Sequence, residues 1–214
     1  MAKIIIIRHA ESIANTLGIY QGQTYDTGLS DLGKKQAQAL AKRLAKEKIN
    51  RILASPLKRS LETAYEVASV VGVSVKIERK LIETNHGKWE GKDKRWIQAN
   101  YPNILTTWKE RPLEAFFPGG EKFIQTVDRV GKFLARSHWQ GNTLVMTHDN
   151  IVRIIVCLAQ DLDINKMWEF DLEPSAINTF KIEDINGTKK IKIVKLNETS
   201  HLKNLRANLS SHAL

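Results

Sequence analysis

The sequence predicts an α/β fold in which helices pack on a mostly parallel sheet. Short runs rich in apolar residues alternate along the chain with longer segments of helical periodicity, which is the pattern of strand–helix–strand units. No internal repeat and no low-complexity linker interrupts the alternation. The 214 residues therefore predict one domain, residues 1–214, with a hydrophobic content of 42% that suffices for a core.

Three strands and two helices are predicted in the first half of the chain. The strands are residues 3–7, 51–54 and 73–77, and the first is a continuous run of isoleucines typical of a strand buried on both faces. Ser30 can cap a helix that extends to about residue 46. Pro56 suits the first turn of a second helix, which extends to about residue 71. The polar, glycine-bearing segment 20–28 predicts a loop.

The second half begins with an irregular segment, residues 81–120, which is rich in Trp, Pro and Gly. It predicts loops and short helices that form a cap over the sheet. Beyond this segment, regular patterns resume and predict two helices, one strand, and two late strands joined by a tight turn at Asn186-Gly187. The helices are residues 121–138 and 150–159, and the strands are residues 142–147, 177–183 and 190–196.

Composition narrows the function classes. The net charge is +10, but the lysines are scattered among glutamates without a dense basic arm, which argues against specific nucleic-acid binding and favours small anionic ligands. No apolar run approaches the ~20 residues of a membrane span, so no membrane partner is expected. The single Cys157 lies in an apolar run, which predicts a buried, reduced thiol and a cytoplasmic protein.

Side chains suited to phosphate follow three of the predicted strands. Arg8 and His9 end the first strand, Arg59 lies in the first turns of the helix after the second, and His148 ends the fourth. Parallel strands bring their carboxyl ends to one edge of a sheet, where such sheets bind ligands. We therefore expect these four side chains and the helix N-termini beside them to surround one small volume.

These residue types match the chemistry of phosphoryl transfer. Arginine offers a charged, planar fork of donors, and helix N-termini add backbone N–H groups. A neutral histidine can attack phosphorus to give a phosphohistidine, and a second histidine can stabilise the transferring oxygens. Glu83, at the start of the cap, could protonate the leaving group and then activate water. Each residue alone also fits an ordinary surface or core role, so their joint placement indicates an anion or phosphate site.

Two further expectations concern the remaining polar residues. No closely spaced set of His, Asp and Glu predicts a metal site. His86, which follows Glu83 by three positions, is expected to lie on the surface.

Several motifs together resemble the histidine phosphatase superfamily, which includes the cofactor-dependent phosphoglycerate mutases. The segments RHAESIAN, SPLKRSLETA and LIETNHGKWEG resemble the family's Arg-His-Gly-Glu, Ser-Pro-x-x-Arg and Leu-x-Glu-x-x-x-Gly-x-Trp-Glu-Gly motifs. YQGQTYDTGLS, FPGGEKF, THDNIVRII and LNETSHL resemble other family segments in the same order along nearly the whole chain. A single Arg-His pair carries little weight, whereas the ordered series is specific.

The resemblance implies a phosphoglycerate mutase-like, three-layer α/β/α fold with a mostly parallel sheet and an antiparallel edge strand. It makes His9 the nucleophile, Glu83 the proton donor, and Arg8, Arg59 and His148 the phosphate pocket. It places a further set of residues beside the phosphate or the leaving group: Asn15, Gln21, Gly22, Gln23 and the backbone of Asp149. It implies that the protein uses neither a metal nor an organic cofactor. The substrate is expected to be a small phosphorylated metabolite, and the resemblance leaves a homodimer open.

Three positions depart from the family pattern. Ala10 stands where glycine is usual, and a methyl group there would cost about 1 kcal/mol if φ were positive. Asp149 follows the second histidine where glycine is common, and its carboxylate is expected to point away from the phosphate. Gly28 replaces a usual proline, which loosens the loop before Leu29.

A metal-independent phosphatase is the function that the sequence favours. The compact cap lacks the longer insertion and the Glu-Arg-x-Tyr-Gly segment of the true mutases, since Glu83-Thr-Asn-His-Gly87 stands there. A mutase-type phosphotransferase and a non-catalytic phosphate-binding module remain the alternatives. Aromatic residues of the cap could contact the substrate or form the core of the cap, and its lysines could attract a second anionic group.

Overall fold

The computed structural model describes residues 2–136, 139, 141–185 and 188–209. The strands are β1 (Ala2–Arg8), β2 (Arg51–Ala54), β3 (Val75–Ile77), β4 (Asn142–Thr147), β5 (Ile177–Ile185) and β6 (Thr188–Glu198). The helices are α1 (Ile13–Thr16), α2 (Asp31–Leu44), α3 (Lys58–Val71), α4 (Lys94–Asn100), α5 (Pro102–Glu110), α6 (Phe123–Arg136) and α7 (Asp149–Gln160). Short 3₁₀ helices occupy Arg79–Leu81, Gly87–Trp89, Pro112–Glu114, Ile164–Glu169 and Lys203–Leu205.

The strands form one sheet in the order β3-β2-β4-β1-β5-β6. Strands β3, β2, β4 and β1 pair in parallel, and β5 pairs antiparallel with both β1 and β6. The predicted mostly parallel α/β sheet is confirmed. The strand that runs antiparallel to both of its neighbours is β5. It lies one position in from the edge of the sheet, because β6 pairs with its outer side and forms the edge.

The isoleucine run of β1 lies at the centre of the sheet and is buried on both faces. Ile4 and Ile6 pack into a cluster with α6, α7 and the cap, whereas Ile5 and Ile7 pack into a second cluster with α2 and α3. Successive strand residues point to opposite faces, so a continuous apolar run is what a two-sided core requires. These helices on the two faces form the outer layers of the three-layer fold.

The predicted elements agree with the structure to within a few residues at most boundaries. The helix predicted from residue 121 begins at Phe123, and β3 is shorter than its predicted range. The turn expected at Asn186-Gly187 and the predicted end of α6 at His138 lie outside the described residues. Within the described chain, none of the helices is long and apolar enough to cross a bilayer.

The segment 81–120 contains α4, α5, the 3₁₀ helices Gly87–Trp89 and Pro112–Glu114, and the last residue of the 3₁₀ helix Arg79–Leu81. Trp89, Trp108 and Phe117 are fully buried, and their rings meet edge to face at centroid distances of 5.1 Å for the pairs Trp89–Phe117 and Trp108–Phe117. Such T-shaped pairs stabilise an aromatic core. These three aromatic side chains therefore form the interior of the cap.

Candidate active site

The ends of three neighbouring parallel strands form the base of the site. His9 directly follows β1, Ser55 follows β2, and His148 follows β4. The backbone N–H of His9 donates to the carbonyl of Thr147 (2.8 Å), and that of Ser55 donates to the carbonyl of Met146 (3.0 Å). These bonds continue the strand register beyond the sheet, so the three polar segments leave the same edge, as the sequence predicts.

Hydrogen bonds define the tautomer of His9. Nδ1 lies 2.7 Å from the carbonyl oxygen of Ala10, which can only accept, so Nδ1 carries the proton in the neutral ring. Nε2 then holds the lone pair, and Nε of Arg59 donates to it over 3.1 Å. The side chain is 4% exposed, which restricts approach to one direction. His9 is therefore held in the tautomer that places the electron pair on Nε2, as the predicted role of nucleophile requires.

His148 lies beside His9 and is fully buried. The two rings meet edge to face with centroids 5.2 Å apart, and Nε2 of His148 lies 2.7 Å from the hydroxyl of Ser55. Its Nδ1 has no hydrogen-bond partner within the described part of the chain. Burial, followed by the positive charge of Arg59, lowers the pKa of His148 well below its usual range. His148 is therefore neutral at physiological pH.

Arg59 is fully buried and bound on three sides. Besides its bond to His9, its guanidinium donates to the carboxylate of Asp26 (2.8 Å) and to the carbonyl of Gly22 (3.2 Å). Asp26 also accepts from the backbone N–H of Lys58 at the start of α3 (2.6 Å). The loop before α2 thus fixes Arg59 against His9. Asp26 lies in the loop predicted over residues 20–28, but no pattern in the sequence indicates that it binds Arg59.

Arg8 is held by Asp149 rather than left open to solvent. One NH1 group donates to Oδ1 of Asp149 (2.8 Å) and to the carbonyl of Leu172 (3.0 Å). The other oxygen of Asp149 accepts from Nε of Arg153 over 2.7 Å. The Asp149 carboxylate therefore binds two arginines, one of which belongs to the predicted phosphate pocket.

The substitution of glycine by alanine at position 10 causes no backbone strain. Ala10 does not adopt a positive φ, and its backbone N–H donates to the hydroxyl of Thr63 over 3.1 Å. The cost expected for a left-handed residue therefore does not arise.

Glu83, in the segment between β3 and α4, is buried. Its side chain is 6% exposed, and its Oε1 accepts from the backbone N–H of Thr84 (2.8 Å). Burial raises the pKa of Glu83 to about 7, and the charge of Asp149 acts in the same direction, whereas Arg59 opposes it. The carboxyl can therefore carry or release a proton near neutral pH, which a general acid that later acts as a base must do.

The predicted loop of Gln21, Gly22 and Gln23 connects these groups. Gln21 donates from its side chain to the hydroxyl of Ser12 (2.7 Å), and Gln23 donates to the carbonyl of Glu83 (2.8 Å). Asn15 caps the short helix α1 together with Ser12. The contacts of Gly22 and Gln23 brace Arg59 and Glu83. The predicted contacts of this loop and of Asn15 with phosphate stay predictions.

His86 is buried, so the prediction of a surface residue is wrong. The ring is 2% exposed, packs against Tyr20 and Phe117, and directs Nδ1 to the carbonyl of Gln21 (2.7 Å). Nε2 therefore accepts from the amide of Asn150 over 3.3 Å. Burial lowers the pKa of His86 to about 4, so the ring is neutral at pH 7. Its neighbours in sequence gave no periodic pattern from which this burial could be predicted.

One cavity connects most of these residues, although His148, Gly22 and Gln23 are not among those that line it. Its empty volume is about 390 Å³, a figure that includes open solvent at its mouth. His86, Tyr20 and Asn150 join the predicted residues in its wall, whereas the cap lysines that were expected to attract a second anion are absent from its described lining. The predicted residues in the wall are Arg8, His9, Asn15, Gln21, Arg59, Glu83 and Asp149.

Comparison with known proteins identifies the family. The model of the histidine phosphatase superfamily (branch 1) matches residues 4–199. The chain belongs to this superfamily. Among curated relatives of this histidine phosphatase, phosphoserine phosphatase 1 of Hydrogenobacter thermophilus is 36% identical over 200 residues, which are 92% of each chain. The adenosylcobalamin/alpha-ribazole phosphatase of Escherichia coli is 28% identical and covers 88% of this chain and 94% of its own.

A solved structure supports the same assignment. The alpha-ribazole phosphatase from Shigella flexneri superposes with a TM-score of 0.81 at 27% identity, and the match covers 92% of this chain and 96% of that one. The histidine phosphatase fold implied by the motifs is therefore confirmed.

The raised pKa of Glu83 makes the stability of this histidine phosphatase depend on pH. The folded protein binds the proton more tightly than the unfolded chain, whose glutamates titrate near 4.5. The resulting contribution is present below about pH 4.5 and is lost as the pH rises to about 7, which amounts to roughly 3 kcal/mol of unfolding free energy.

We expect Glu83→Gln to be more stable than the wild type at pH 8 and to differ much less at pH 5, as measured by urea unfolding. The exposed Glu114→Gln, at a residue whose side chain is 56% exposed, is the matched control and should show neither effect. A stability difference for Glu83→Gln that is the same at both pH values would contradict the assigned burial of the carboxyl.

Proposed function

We propose that this protein is a metal-independent phosphatase that hydrolyses small phosphomonoesters through a phosphohistidine at His9. The geometry of His9 carries the proposal. Its Nδ1 is tied to the carbonyl of Ala10 and its Nε2 is an electron-pair donor between Arg59 and the cavity. A nucleophile with a defined tautomer, two buried arginines and a carboxyl titrating near neutrality is the set that phosphate-ester hydrolysis needs.

In the first step, Nε2 of His9 attacks phosphorus, and the ester P–O bond breaks. Arg8, Arg59 and His148 are proposed to stabilise the charge on the phosphoryl oxygens. The electron pair of the broken bond goes to the leaving oxygen, which takes a proton from Glu83 to give the free alcohol. The products of this step are the alcohol, the phosphohistidine and the Glu83 carboxylate.

In the second step, the Glu83 carboxylate removes a proton from water as the water oxygen attacks phosphorus. The P–N bond breaks, its electron pair returns to Nε2, and inorganic phosphate leaves. Both His9 and Glu83 are then in their starting protonation states. A pKa near 7 serves both steps, because the same carboxyl must give a proton and later accept one.

We propose a small phosphorylated metabolite as the substrate, with phosphoserine as the first compound to test. Arg8 and Arg59 lie in the cavity wall, where they can bind a phosphate group, and phosphoserine phosphatase 1 of H. thermophilus matches the chain over nearly its whole length. The remaining proposals are that residues 1–214 form one domain, supported by the single described sheet, and that the protein is cytoplasmic, supported by its one buried thiol, Cys157. A homodimer stays open.

The decisive assay measures release of inorganic phosphate from phosphoserine and from p-nitrophenyl phosphate in excess EDTA. We expect turnover that is unchanged by EDTA and inhibited by vanadate, since vanadate imitates the transferring phosphoryl group. The exposed Lys132→Ala variant should match the wild type in both assays.

Three results distinguish the alternatives. Loss of turnover in EDTA that returns with added metal would contradict the metal-independent mechanism. Transfer of phosphate to phosphoglycerate in preference to water would identify a mutase. Binding of phosphate without turnover of any ester would identify a non-catalytic module.

A further inference from the structure

Asp149 occupies a position that no step of the proposed mechanism uses. It is the first residue of α7, directly after His148, and its side chain is 4% exposed. Both of its oxygens are bonded to guanidinium groups, Oδ1 to Arg8 (2.8 Å) and Oδ2 to Arg153 (2.7 Å). Opposite charges at this distance and depth interact far more strongly than on the surface.

Arg153 is itself anchored away from the cavity. Its NH1 donates to the carbonyls of Met167 (3.0 Å) and Phe170 (2.6 Å), and its guanidinium lies 5.0 Å from the ring centroid of Trp168. Arg8 reaches the same stretch of chain through the carbonyl of Leu172. The row Arg153–Asp149–Arg8 therefore connects segment 167–172 to the wall of the cavity, and the position of Arg8 depends on the carboxylate between the two arginines.

Asp149 and Glu83 both lie in the wall of the cavity. Several charged or titratable groups surround Glu83, and the arginines among them favour its ionised form, whereas Asp149 opposes ionisation and so raises the pKa of Glu83. The neutral imidazoles add no full charge to this balance. The groups are Arg8, Arg59, Arg129, Asp149, His9 and His86.

We propose that Asp149 is a positioning residue that holds Arg8 against the phosphate pocket and places a negative charge in the cavity wall that it shares with Glu83, where this charge favours the protonated carboxyl. The role assigned to Glu83 rests on the proposed function. The glycine common at this position in the family could supply neither the contact nor the charge.

The test measures the titration of Glu83 directly and needs no turnover. The protein is labelled with ¹³C at the glutamate side-chain carboxyl, and the NMR shift of Glu83 is followed from pH 3 to pH 9, with Glu83→Gln to assign the signal. Asp149→Asn and Asp149→Gly both remove the charge. Asp149→Gly is the second variant in case the first folds poorly. Asp128→Asn, at an exposed residue on α6, removes one negative charge elsewhere and is the matched control.

We expect the midpoint of the Glu83 titration to fall by at least about half a pH unit in both neutral variants, because a nearby negative charge has been removed. Asp128→Asn should coincide with the wild type. Midpoints in Asp149→Asn and Asp149→Gly that equal the wild-type midpoint would overturn the proposal. An inactive wild-type protein would count against the proposed phosphatase alone, because the titration can still be read.

Asp149→Glu separates charge from position. It retains the negative charge, so the Glu83 midpoint should stay near the wild-type value. Its longer side chain cannot join Arg8 and Arg153 without displacing one of them, so KM for phosphoserine should rise severalfold with kcat less affected. A midpoint that falls in Asp149→Glu as far as in Asp149→Asn would overturn the electrostatic role of the residue.

Discussion

Replacing His9 by alanine is expected to lower kcat at least ~10³-fold, which corresponds to about 4 kcal/mol of transition-state stabilisation. Alanine removes the Nε2 lone pair that the proposed attack on phosphorus uses. Arg59, which donates to Nε2, is a cation and cannot attack phosphorus. Initial rates with p-nitrophenyl phosphate in EDTA provide the measurement.

The His9→Ala result can be controlled within the same chain. His201→Ala removes another partly buried imidazole, which contacts the carbonyl of Ser175 away from the cavity, and it should keep most of the activity. In the wild type, acid-labile radioactive phosphate should be trapped on the protein when labelled substrate is quenched in base, and His9→Ala should trap none. Near-normal turnover in His9→Ala would refute the proposed nucleophile.

Replacing Glu83 by glutamine is expected to lower kcat roughly 10²- to 10⁴-fold for phosphoserine, because the serine alkoxide needs a proton as it leaves. Glutamine keeps the size and polarity of the side chain but cannot donate or accept that proton. Rates at pH 6 for phosphoserine and p-nitrophenyl phosphate, compared between the variant and the wild type, measure the effect.

The leaving group distinguishes proton donation from a structural role. Nitrophenolate hardly needs protonation, so the loss for p-nitrophenyl phosphate should be much smaller than the loss for phosphoserine. With phosphoserine, the wild-type rate should fall as the pH rises through about 7, the pKa of Glu83, because the acid form disappears. Equal losses on both substrates would indicate that Glu83 supports the structure only, and Glu114→Gln should lose nothing on either.

The part of the site that lies at strand ends could be predicted from the sequence. His9, Arg59 and His148 follow runs whose β-branched character marks them as strands, and parallel strands end at one edge. The same reasoning predicted the buried centre of the sheet. Both predictions rest on local sequence patterns that mark the strands, and the parallel pairing of these strands then brings their ends close together in space.

Two of the residues that the sequence did not indicate, His86 and Asp26, lie in loops, where periodicity gives no information. His86 is buried because Tyr20 and Phe117, which are distant in sequence, pack against its ring. Asp26 is bound by Arg59 because the loop before α2 folds onto α3. The ion pair between Asp149 and Arg153 was also not predicted, although the two residues are one helical turn apart. Arg153 points into the protein only because α7 packs against segment 167–172, and the sequence does not show that packing.

The place of β5 in the sheet could not be predicted from the sequence either. Its apolar pattern predicted a late strand, and the family resemblance implied an antiparallel edge, but the pattern of one strand does not say which neighbours it pairs with. The pairing of β5 with both β1 and β6 leaves β6 at the edge. Lys190, Lys192 and Lys195 lie on this outer strand, and charged side chains of this kind discourage further pairing.

The central position of β1 has a consequence for the order in which the molecule opens. Its backbone is paired with β4 on one side and β5 on the other, and Ile4 to Ile7 are at most 1% exposed. Amide protons in such a strand exchange with deuterium only when the whole domain unfolds, whereas those of α4, whose side chains are mostly exposed, exchange through local openings. His9 is therefore attached to the strand that we expect to exchange most slowly, and α4 can open locally without disturbing it.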